Sequence, residues 1–193
     1  QRMGLGRMGA PYDMYSMADL PDVDLSRYKM IFFPNLFVVD KAKLQILKEK
    51  VCTGGRTVVW VHAPGIIAEG RYDPANVERL CGIPYGSKEL TVRAMDGWTS
   101  VLAPAPNLSA LVLREQAQKA GVHLYCEKDW PIYANGRLLA VHTGTGGPCT
   151  IRLPRRARQV RELFSDRVVA ENTDRFEGRL QGPDTVLYLI QWE

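Results

Sequence analysis

No apolar run in the sequence approaches the roughly 18 residues of a membrane-spanning helix, and the opening QRMGLGRMGAPYD has no apolar centre of the kind a secretory leader needs. No membrane partner is expected, and the compartment stays open. None of the four cysteines, Cys52, Cys81, Cys126 and Cys149, belongs to a C-x-x-C pair or to a Cys/His grouping of zinc type, so no metal is expected. A chain of 193 residues can build a core without disulfide staples, so free buried thiols are the expectation. Gly4, Gly6 and Gly9 do not make a G-x-G-x-x-G after a strand, because the residues before Gly9 read as the tail of a helix; no dinucleotide or other cofactor is expected.

Excess charge of one sign is also lacking. Lys and Arg number 25 against 21 for Asp and Glu, and a net charge of +4 is too weak to imply a nucleic-acid partner. The charge does cluster: Arg152, Arg155, Arg156, Arg158, Arg161 and Arg167 lie close together with only Glu162 and Asp166 opposing them. No aromatic or Gly-rich phosphate loop is interleaved there, so a solvated strand face or an interface rim is preferred to an anion site.

What is present is a change of texture along the chain. APYDMYSM has the composition of a short strand, and YKMIFFPN and RTVVWVH are continuous apolar runs of the kind buried on both faces of a parallel sheet. Between them DKAKLQILKEKV has helical apolar spacing with Asp40 as its cap, stopped by Thr53, Gly54 and Gly55. PANVERLCG predicts a helix opened by Pro74 and closed by Gly82, and ALVLREQAQKAG a helix ending at Gly121. After Gly121 short strand-like runs alternate with turn residues, and YANGRLLAV is the clearest hairpin signal. The expected organisation is an α/β domain over residues 1–121 followed by an antiparallel β-domain over 122–193, sharing an interface because no flexible linker separates them.

The ordered stretches GAPYDMYSMADL, YKMIFFPNLFVVD, TGGRTVVWVHAPGI and NVERLCGIPY, over residues 9–85, resemble the class I glutamine-amidotransferase-like domain of large glycoside hydrolases, notably the trimerisation domain of family 42 β-galactosidases. HLYCEKDWPIYANGRLLAVHTGTGGPCTIRLP and TVLYLIQW resemble the β-domain that closes such chains. The resemblance implies a flavodoxin-like parallel sheet whose first strand would precede GAPYD, so that the α/β domain is truncated. It also implies a domain used for subunit contact without amidotransferase activity.

Active class I amidotransferases carry G-x-C-x-G at a strand-to-helix elbow. Laid on that pattern, Val61, His62, Ala63, Pro64 and Gly65 place Ala63 at the nucleophile, and alanine cannot attack a carbonyl. Pro64 falls where the oxyanion-binding N–H should come from, and proline has none. The elbow is therefore read as degenerate, with no catalytic residue. His62 is the one residue there able to act as acid or base, but His123 and His142 stand in no matching spacing, so a structural role is preferred. Asp13 with Asp19, and Glu127 with Asp129, could act as acid and base, and acidic turn residues are the commoner use of such positions. Trp60, Trp98, Trp130, Trp192, Tyr125 and Tyr133 read first as core or interface; Trp98 and Trp130, beside turn residues, are the candidates for sugar stacking. The leading expectation is a non-catalytic structural or oligomerisation module of a larger glycoside hydrolase, its partners being further copies of itself or other domains of the parent. The alternatives are a carbohydrate-binding module and a hydrolase or transferase using His62.

Overall fold

A strand made only of β-branched and aromatic residues has no face to give to water, and Thr57–Val61 is buried at every position in the computed structural model, which describes residues Gln1–Glu193. Contacts divide the chain into two compact units: Gln1 with Met14–Leu108, and Arg2–Asp13 with Ser109–Glu193. Composition changes at Gly121, whereas contacts gather the preceding helix and the N-terminal segment with the β half. The first element, α1 (Arg2–Gly6), belongs to the second unit.

In the first unit, β1 (Met30–Phe33) leads to α2 (Lys41–Ile46), which continues as one π-helical turn over Leu47–Val51 before β2 (Thr57–Val61). Asp40 caps α2 as its position suggests, its carboxylate accepting from the Lys43 backbone N–H at 2.8 Å. A two-strand hairpin, β3 (Ile67–Ala68) and β4 (Arg71–Tyr72), precedes α3 (Pro74–Cys81), and β5 (Thr91–Met95) and β6 (Trp98–Ala103) close the unit. The sheet order is β1-β2-β6-β5, with β1, β2 and β6 parallel and β5 antiparallel to β6. The predicted parallel α/β half is thus present as a mixed sheet. Leu47, Val51, Val77, Leu80 and Cys81 from the helices pack with Val58, Trp60 and Leu102 from the sheet. Each large side chain buried this way contributes about 1.5–3 kcal/mol.

The stretch APYDMYSM is not a strand: residues 11–16 are exposed and join no ladder, and Met14 is 87% exposed. A strand needs a partner for its backbone N–H and C=O groups, and β1, the edge of the sheet, pairs only with β2.

In the second unit, α4 (Ala110–Lys119) is capped by Ser109, whose hydroxyl accepts from Val112 N–H at 3.2 Å. An antiparallel sheet follows, made of β7 (Ile132–Asn135), β8 (Leu138–Thr143), β9 (Gly146–Glu162), β10 (Arg167–Gln181) and β11 (Asp184–Trp192), in the order β10-β9-β11-β8-β7. The Asn135–Gly136 hairpin forms as predicted between β7 and β8. CTIRLP and QVRELF, which read as separate strands, are one strand of 17 residues, because irregular pairing carries β9 through its Pro-Arg-Arg interruption. Ile132, Leu139, Val141, Ile151, Val160, Phe176 and Ile190 form its core. The N-terminal segment closes on this unit at Gly9, whose φ is 99° and whose position would drive a Cβ to 2.0 Å from the Cys126 carbonyl oxygen.

Candidate functional site

The sequence directs attention to the end of β2. Its last ladder pair is Val61 with Ala103; just beyond it the His62 backbone N–H donates to Ala103 O at 2.7 Å, and there the chain turns sharply: His62 has φ 63°, a left-handed conformation uncommon outside glycine. The backbone elbow therefore falls on His62, one residue before Ala63. Ala63 is 2% exposed, its methyl enclosed by protein. Gly65, at φ 69°, donates to Leu36 O at 2.7 Å; a Cβ there would meet Asn76 Nδ2 at 3.0 Å. The His62 ring is exposed, with Nδ1 3.2 Å from Pro104 O and its plane edge-on to Tyr85 at 6.4 Å between centroids. A carbonyl can only accept, so Nδ1 is the donor in that contact. The ring's hydrogen-bond partner is a backbone carbonyl, which cannot pass a proton on, and its contact with Tyr85 is between ring planes.

Sequence reasoning missed the cavity of about 560 Å³ lined by α2, the β3–β4 hairpin and α3. Its carboxylates are all engaged. Asp40 caps α2, and the bond from the Lys43 backbone, helped by the Lys43 side chain, holds it below the usual carboxylate range. Glu69 accepts from Lys41 N–H at 2.8 Å, and Asp73 pairs with Arg79. Asn76, 3% exposed, donates to Gly65 O at 2.7 Å and Val39 O at 3.4 Å, tying the elbow to α3. Groups committed in this way brace loops; no two of these acids are left as an acid–base pair.

The remaining candidates are dispersed. His123 Nε2 lies 2.9 Å from Arg152 O, and His142 Nδ1 lies 2.8 Å from Thr185 Oγ1. Asp19 accepts from Ser16 N–H at 3.0 Å, closing a turn; Glu127 pairs with Arg152 at 2.8 Å and Asp129 with Arg114 at 2.7 Å. No three His, Cys, Asp or Glu side chains come close enough together to hold a metal ion. Trp130, 7% exposed, lies in the core of the β sheet. Trp98 is half-buried and edge-on to Trp60, which itself stacks on Phe33 at 4.9 Å, so the ladder Phe33–Trp60–Trp98 runs across three strands. Tyr133 is 62% exposed on β7. All four cysteines are free thiols; burial pushes Cys52 up to about 12, against the pull of Lys48, and Cys149 up to about 11. Such thiols are poor nucleophiles at neutral pH.

No protein-family model and no curated protein sequence matches the chain. Solved structures do. A β-galactosidase from Bacillus circulans sp. alkalophilus superposes with a TM-score of 0.68 at 13% identity, over 96% of this chain and 36% of that one. A family 42 β-galactosidase from G. stearothermophilus gives 0.65 at 14% identity, over 98% and 35%. One from the psychrophilic Marinomonas ef1 gives 0.60 at 12% identity, over 98% and 33%. At such identities the likeness is one of fold, and this chain spans about a third of the length of the structures it matches. Along almost its whole length it is built like part of a β-galactosidase chain.

Proposed function

We propose that the chain is a non-catalytic structural and assembly module of a larger carbohydrate-active enzyme, a glycoside hydrolase of β-galactosidase type whose chemistry lies elsewhere in the parent. The observation that carries the reading is the end of β2, where an enzyme of the amidotransferase kind needs a nucleophile and an oxyanion donor. The chain supplies a buried methyl at Ala63 and, at Pro64, a residue without an N–H. The engagement of Asp40, Glu69 and Asp73 in capping and ion pairing supports the same reading. The fold likeness to a third of a β-galactosidase supports the choice of parent.

Assembly is supported by the sheet of the first unit. It ends at β1, whose outer backbone groups face no strand and whose side chains are all half-buried. Such an edge is a template for a strand from another chain or another domain.

The left-handed, exposed His62 favours one second reading, a hydrolase or transferase in which the imidazole itself sits at the elbow. Hydrolysis of glutamine and of a p-nitrophenyl ester separates the two. The module reading expects no turnover above buffer in either assay. Turnover by the purified chain that disappears in His62→Asn, a variant that tolerates the left-handed backbone, would establish the second reading and end the first.

A further inference from the structure

β9 departs from regular pairing in three places: one puts Val169 of β10 as an extra residue, and the other two put extra residues of β9 among its arginines. Arg152 pairs with Arg175 and Ala157 with Thr173, so Leu153, Pro154, Arg155 and Arg156 stand against the single residue Asp174 of β10. Along the other edge Ala157 pairs with Trp192 and Gln159 with Gln191, which leaves Arg158 as an extra residue against β11. Bulges of this kind re-aim side chains and are over-represented beside binding sites. Here they leave Arg155 and Arg158 lining a groove of about 770 Å³, to which Arg137, Tyr125 and Trp192 also contribute.

The groove is held from beneath by hydrogen bonds. Ile190 N–H donates to Arg137 O at 2.7 Å, and Trp192 Nε1–H donates to Gly136 O at 3.1 Å, which pins the β7–β8 turn to β11. The Arg155 guanidinium lies over the Trp192 ring at 5.0 Å. Charge within the cluster is sorted. Arg152, Arg156 and Arg161 are paired with Glu127, Glu193 and Asp166. Glu193 also lines the groove, but its carboxylate is engaged by Arg156, whereas Arg137, Arg155 and Arg158 line it without an ion-pair partner.

We propose that this groove binds an acidic oligosaccharide, the three guanidinium groups holding a carboxylate or sulfate ester while Tyr125 and the open part of Trp192 border the sugar ring. Guanidinium forks match both planar carboxylates and sulfate oxygens, and the volume falls in the range of ordinary ligand sites. A nucleic acid requires a continuous basic track, and the neighbouring β10 does not extend one: it is of mixed sign, with Glu171, Asp174 and Glu177 interleaved among Arg167, Arg175 and Arg179. The choice of a sugar among small acids rests on the reading of the parent as a carbohydrate-active enzyme; the groove itself does not depend on assembly.

Calorimetric titration of the whole chain at low salt tests this with a galacturonate trisaccharide, a sulfated galactose trisaccharide, the neutral galactose trisaccharide, inorganic sulfate and a single-stranded oligonucleotide. At least one acidic sugar is expected to bind, and to bind about tenfold or more tightly than the neutral sugar, sulfate or the oligonucleotide. The double variant Arg155→Ala/Arg158→Ala is expected to lose about tenfold or more of that affinity with an unchanged melting curve, both side chains being exposed. Arg152→Ala, which removes a guanidinium already paired with Glu127, is expected to retain it. Absence of binding to both acidic sugars overturns the proposal. So do equal binding of the neutral sugar, equal binding of sulfate, tighter binding of the oligonucleotide, and acidic-sugar binding indifferent to the double variant. A chain that binds the acidic sugar yet stays monomeric keeps this inference and loses the assembly reading; one that associates and binds nothing does the reverse.

Discussion

Arg114 sits in a helix whose sequence, ALVLREQAQK, gives no warning that its arginine is buried. At 8% exposure its guanidinium donates to Met8 O at 3.0 Å, Arg7 O at 2.9 Å and Lys128 O at 3.2 Å, and pairs with the Asp129 carboxylate at 2.7 Å. One planar group thus fastens the N-terminal segment and the loop after α4 to the helix. Arg114→Ala leaves three carbonyls and a carboxylate without their donor, and a loss on the order of 3 kcal/mol in urea unfolding is expected. Arg114→Lys is expected to recover little, since an ammonium cannot reach the same acceptors in one plane. The cysteines give a second prediction at this scale. Burial raises Cys52 from 9.0 to about 12, so the folded chain keeps that proton where the unfolded chain releases it. The resulting stability is fully present below pH 9 and is lost as pH rises toward 12. Thermal melts between these limits should fall more steeply for the natural chain than for Cys52→Ala; parallel curves would show that the thiol does not titrate in this way.

Elements were legible where one physical solution existed. The runs MIFF and TVVWV had no polar face to offer and became adjacent parallel strands, and Asp40, Pro74 and Gly82 marked helix ends that formed as read. Residues 11–16 misled because strand composition says nothing about whether a partner strand is at hand. β9 misled because Pro154 reads as a stop, while a wide bulge absorbs it at the strand's irregular pairing. Two tests belong here. Ser109→Ala removes the acceptor for Val112 N–H and is expected to cost about 1 kcal/mol, read from the urea midpoint. Limited chymotrypsin digestion should cut first in the exposed stretch holding Tyr12 and Tyr15 and spare α4; early cleavage within Ala110–Lys119 would contradict the assignment.

For the molecule as a whole, a mixed α/β sheet followed along the chain by an antiparallel one was visible as a change of texture. The groove beside Trp192 was not. Its aromatics come from Tyr125 and Trp192, far along the chain from the arginines they join, and only the two bulges bring them to one place. Distant residues meeting through irregular pairing leave no local spacing to read. The central claim is that this fold serves contact between chains. Sedimentation equilibrium over a concentration series tests it most directly. The account predicts a weight-average mass that rises above that of one chain as concentration increases, through cover of the open β1 edge. A strictly monomeric chain that melts cooperatively at every concentration would contradict it.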